Sequence, residues 1–158
     1  MSKHHRNRNW APAPQPLPED AHVIDNHTHV ASVVPFSQAM SHEAMEKGQG
    51  EVPVYSVDEL LEQAQKVGVE GVIDCGCELP NLMTAIDMAR EHPGTVHAAI
   101  AIHPNDAVLH GHRGAPGPDG LPIKYKPWHD IPFDEAMAEV HRLATTYPNQ
   151  VVAIGETG

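Results

Sequence analysis

Four short apolar runs, separated by stretches of helical periodicity, constrain this chain more than any other feature. The runs are Ala21 to Asn26, Val69 to Cys75, Val96 to Ile102 and Val151 to Ile154. Each is too short for a helix and rich enough in Val, Ile or Ala to form a buried strand. Between the first two, Ser56 and Glu59 form a capping box ahead of Leu60, Leu61, Ala64 and Val67, which predicts a helix over Val57–Val67. Gly68 then sits where a helix end wants left-handed backbone. Leu82, Ala85, Ile86 and Ala89 share one face of a second helix over Asn81–Glu91. Ala136, Val140, Leu143 and Ala144 do the same from Glu135 to about Thr146, with Asp134 as the expected cap. Strands that alternate with amphipathic helices imply an α/β fold, a parallel sheet with helices outside. The Val96–Ile102 run is almost wholly apolar, as a parallel strand covered on both sides should be.

The other segments carry weaker signals. Residues 1–20 read as a flexible Pro-rich leader, and residues 21–158 as the folded part. Val30 to Val54 reads as irregular because of Pro35, Gly48, Gly50 and Pro53, although Ser37–Lys47 can be helical. Residues 105–131 form a long Gly/Pro-rich insertion, expected at the surface beside any site, with His110, His112 and His129 exposed to solvent. The length of 158 residues suits one domain. The net charge of −11 argues against gripping long duplex DNA by bulk electrostatics. Seven aromatics (2 Trp, 3 Tyr, 2 Phe) are too few for a base-stacking platform. No apolar run is long enough to span a membrane, and Cys75 and Cys77 are too few for a disulfide framework. A cytoplasmic protein is expected.

In parallel α/β folds, ligands bind beyond the carboxyl ends of the strands. Those positions here hold His27-Thr28-His29, then Cys75-Gly76-Cys77-Glu78, then His103-Pro104, and finally Gly155-Glu156. His27 and His29 stand two apart, so strand alternation would put both imidazoles on one face, ready for a divalent ion. Glu156 follows an apolar strand, where a bare carboxylate is costly and a metal is one natural partner. Pro104 restricts His103 to extended backbone and fixes its aim, toward substrate or as support for a ligand. Asp25 shares the parity of His27; it either orients a ligand histidine, approaches the ion, or packs as an inward polar group. The cysteines read as small buried side chains and Glu78 as a helix cap.

Taken in order, Asp25-Asn26-His27-Thr28-His29, Ala101-Ile102-His103-Pro104 and Val152-Ala153-Ile154-Gly155-Glu156-Thr157-Gly158 resemble three signatures of the TatD family of metal-dependent hydrolases. The resemblance runs from about Ala21 to Gly158. It implies a TIM-type (β/α) barrel of the amidohydrolase kind, of which about the first four strands are present in this sequence. It also implies two divalent ions (Zn, Mg or Mn), with His27 and His29 on one, Glu156 bridging both, and His103 near the scissile phosphate. The family's glutamate motif normally continues into Leu-Asp and a further half barrel, so a truncated chain is expected. The activity implied is hydrolysis of phosphodiester bonds at DNA ends or in short strands. Two alternatives stand beside it: an ester or amide hydrolase, such as an aminoacyl-tRNA deacylase, and an inactive barrel fragment.

Overall fold

The computed structural model describes residues 16–18, 20–49, 53–116 and 124–157. The described part of the chain forms a four-stranded parallel sheet in the order β1 (Val23–Thr28), β2 (Val69–Gly76), β3 (Val96–Ile100), β4 (Val151–Ile154). Spatial order follows chain order because each strand is returned to the same end of the sheet by a helical crossover. The helices are α1 (Val30–Glu46), α2 (Val57–Lys66), α3 (Leu82–Glu91), the single-turn α4 (Pro104–Ala107) and α5 (Phe133–Thr146). This is the expected α/β architecture of four parallel strands.

Helix α2 starts as the capping box demands. The Ser56 hydroxyl accepts the Glu59 N–H at 3.2 Å, and the Glu59 carboxylate accepts the Ser56 N–H at 2.8 Å. Gly68 ends it at φ +96°, a conformation that costs a side chain dearly. On α3 and α5, the predicted faces become the core. Leu82, Ala85, Ile86 and Ala89 meet Ala136, Val140 and Leu143 over Val72, Val96, Ala98 and Ile100 of the central strands. Along β2, Val72, Asp74 and Gly76 are buried while Ile73, Cys75 and, just past the strand, Cys77 are half-buried. One face therefore packs on helices, and the other lies more open. Ile24, Val152 and Ile154, on the outermost strands β1 and β4, are more than half exposed.

Gly76 is where β2 and α3 come closest. A Cβ there would lie 2.8 Å from the Asn81 carbonyl oxygen and 3.1 Å from the Leu82 Cα, both backbone atoms. Gly76→Ala is expected to cost about 1–3 kcal/mol by overpacking. Thermal unfolding should register this as a loss of roughly 2–4 °C per kcal/mol for a chain of this size.

Four expectations need correction. Helix α1 begins at Val30 directly after β1, so the segment read as largely irregular is helical up to Glu46, with Pro35 inside it. Its apolar residues Val33, Phe36, Met40 and Met45 are exposed, so there is no buried stripe for a periodicity to reveal. Helix α5 starts one residue before Asp134, with Pro132 at its cap; Asp134 and Glu135 instead occupy the first turn, where carboxylates suit the helix dipole. Most of the expected leader (residues 1–15 and 19) lies outside the described residues, but Leu17 packs, its N–H donating to the Val67 carbonyl at 3.0 Å.

The fourth correction concerns the insertion, of which residues 117–123 lie outside the described part. His112 is exposed as expected, but His110 and His129 are 1% and 0% exposed. Polar partners make that burial tolerable. Asp106 on α4 accepts the Trp128 indole N–H at 3.2 Å and lies 3.0 Å from Nε2 of His129. His129 accepts the Lys126 N–H on Nδ1 at 3.0 Å, and Nδ1 of His110 lies 2.9 Å from the Ile131 carbonyl. The two ends of the insertion are tied together at its base by Gly111 donating to the His129 carbonyl at 2.9 Å.

Candidate metal centre

Because all four strands run the same way, the residues after them share one rim. Strand β1 ends at Thr28, whose hydroxyl donates to the Ile73 carbonyl at 3.0 Å and fastens the strand end to β2. His29 is therefore the N-cap of α1 rather than a strand residue. The rings of His27 and His29 nevertheless meet edge to face, 5.2 Å between centroids. Asp25 accepts the backbone N–H of His27 at 3.2 Å, so it acts on that histidine through the main chain.

Asp74 sets the start of α1. Its carboxylate, 1% exposed, accepts the Ala31 N–H at 3.3 Å from across the sheet. Burial pushes its pKa up, against the pull of the Ala31 and Val30 N–H groups and of His29. A carboxylate at a helix N-terminus also favours the dipole. His29 is in turn oriented by its Nδ1, which lies 3.2 Å from the Cys75 carbonyl. A carbonyl can only accept, so Nδ1 carries the proton and Nε2 keeps a free lone pair. This is the second-shell arrangement that metal-binding histidines use.

Glu156, arriving two residues after β4, draws the rim together. Its Oε1 lies 2.8 Å from Nε2 of His27 and its Oε2 lies 3.0 Å from Nε2 of His103. His103 has φ −54° and ψ 142°, the extended backbone expected before proline, and its Nδ1 accepts the Asn105 N–H at 3.0 Å. With Nδ1 accepting, Nε2 is the protonated nitrogen and donates toward Glu156. Donor atoms of His27, His29 and Glu156 all lie within 4.8 Å of one another. Two imidazoles and one carboxylate at this spacing suit a divalent transition ion, so the chemistry of the donor set fits such a metal.

All four rim residues named from the sequence, His27, His29, His103 and Glu156, are thus brought together, with Asp25 behind His27. Two others were missed. Asp74 was visible only as an acid inside a Val/Ile strand. Cys77 had been read as a small buried side chain; its thiol instead points at Glu156, with Sγ 3.8 Å from Oε2. Burial is the main reason that the Cys77 thiol is pushed up to about 11. Its position straight after β2 was the available signal.

A protein-family model described as TatD related DNase matches residues 24–158. No curated protein matches the chain.

Proposed function

The chain belongs to the TatD-related DNase family, whose members are metal-dependent, and from that premise we propose that it hydrolyses phosphodiester bonds, as a deoxyribonuclease acting on DNA ends or short strands. The observation that carries this reading is the meeting of the His27, His29 and Glu156 donor atoms within 4.8 Å at the carboxyl rim of the sheet. We propose that His27 and His29 hold one ion and that Glu156 spans to a second with its other oxygen. Bound divalent ions supply charge neutralisation of the phosphate and a lowered pKa for the attacking water.

The side chains around them do the positioning. Asp25 fixes the His27 main chain. The Cys75 carbonyl holds the His29 ring with Nε2 toward the rim. His103 orients Glu156 through Oε2 and, at 36% side-chain exposure, also stands open to a substrate phosphate. With a chain of net charge −11, recognition of DNA has to be local, through the ions and a few donors. We extend the fold reading in the same way, to an arc of a TIM-type barrel: the exposed apolar side chains of β1 and β4 and the open sheet face favour continuation on both sides. Among the described residues, no helix is long and apolar enough to cross a membrane. Both cysteines are free, in keeping with a reducing cytoplasm.

Chelation tests the reading. Protein stripped with EDTA and dialysed should bind Zn²⁺ or Mn²⁺ in a calorimetric titration and should release nucleotides from DNA ends only after metal is returned. An aminoacyl ester serves as the competing substrate. Hydrolysis of DNA that persists in chelator, or metal-restored cleavage of the aminoacyl ester alone, would overturn it.

A further inference from the structure

We propose that Cys77 is a metal ligand, its thiolate sharing an ion with Oε2 of Glu156, so that the centre favours Zn²⁺ or Co²⁺ over Mg²⁺. This rests on the metal-centre reading above and adds to it a soft donor and a metal preference.

The two oxygens of Glu156 serve different neighbours. Oε1 faces His27, while Oε2 faces His103 at 3.0 Å and the Cys77 sulfur at 3.8 Å. The ring of His103 is committed as a donor, because its Nδ1 takes the Asn105 N–H. That leaves sulfur as the lone-pair donor beside Oε2. With Zn–S of about 2.3 Å and Zn–O of about 2.0 Å, two ligands of one tetrahedral ion stand about 3.5–3.8 Å apart. The observed separation is long for a hydrogen bond but matches the spacing of two co-ligands. The thiol is also held in place: the Cys77 carbonyl accepts the His103 N–H at 2.8 Å, and the Gly76 carbonyl accepts the Ala101 N–H at 3.1 Å. Cys75 differs, its Sγ lying 3.9 Å from the Ile73 carbonyl of its own strand. Thiolates select soft and borderline ions, whereas carboxylates alone suit Mg²⁺ or Mn²⁺. On binding, the S–H bond breaks, a sulfur–metal bond forms, and the proton passes to solvent; no electron changes hands.

Cobalt titration of the full chain tests this with a readout independent of activity. Visible Co²⁺ bands report the ion on any of its ligands, and a near-ultraviolet thiolate-to-cobalt charge-transfer band reports sulfur. The expected result is both sets in the native protein, with the near-ultraviolet band lost in Cys77→Ser and kept in Cys75→Ser. Cys77→Ser should also weaken Zn²⁺ binding by about 10–100-fold while leaving Mg²⁺ binding unchanged, on the scale of a lost supporting ligand. Visible bands with no near-ultraviolet band, or a band that survives Cys77→Ser, would overturn the thiol ligand and leave the metal centre standing. No Co²⁺ spectrum at all would remove both.

Discussion

Replacing Glu156 with Gln should lower divalent-ion affinity and DNA hydrolysis together, each by about three orders of magnitude. A carboxamide has nearly the carboxylate's shape but no charge, and one of its two oxygens has become an N–H donor. Oε1 faces His27 and Oε2 faces both His103 and Cys77. One substitution thus disturbs every neighbour on the rim. Metal polarisation of a phosphoryl oxygen is worth several kcal/mol; losing about 4 kcal/mol is about a thousandfold in rate. Calorimetry for the ion and initial rates on end-labelled DNA measure the two effects. A variant within tenfold of the native protein on both would mean that Glu156 holds no ion.

Asp106→Ala should produce the largest loss of stability. Asp106 is 9% exposed and stands between the Trp128 indole and His129, which is fully buried. Removing the acid strands two buried donors at once. Breaking a buried charged pair costs about 3–5 kcal/mol. For a chain of this length each kcal/mol is worth about 2–4 °C, so Tm should fall by at least about 6 °C. Asp106→Asn keeps an acceptor for Trp128 and should lose less than half as much. Thermal unfolding followed by circular dichroism would check both; a fall under about 2 °C for the alanine variant would mean that the cluster adds little.

What could be read from the sequence follows from where the physical information sits. The helices α2 and α3 were legible because each buries one face, so an apolar period of 3.6 survives in the order of residues. Helix α1 hides its nature by exposing Phe36, Met40 and Met45 and by carrying Pro35. The rim was legible because parallel strands place their carboxyl ends together, which makes His27, His103 and Glu156 neighbours before any coordinates are known. Cys77 was not, since its meaning depends on which way the residue after β2 faces. His110 and His129 were illegible for a related reason. His110 reaches Ile131 across 21 residues and Trp128 reaches Asp106 across 22, and no periodicity marks such pairings.

The knot at the base of the insertion has an evolutionary corollary. Asp106 sits three residues beyond His103 and belongs to the short helix that His103 caps. Gly111 and His129 close the neck just above it. Whatever lies past that neck is insulated from the catalytic geometry, so a lineage is free to lengthen, shorten or rewrite that stretch and retune substrate access while the cation-binding chemistry is inherited unchanged.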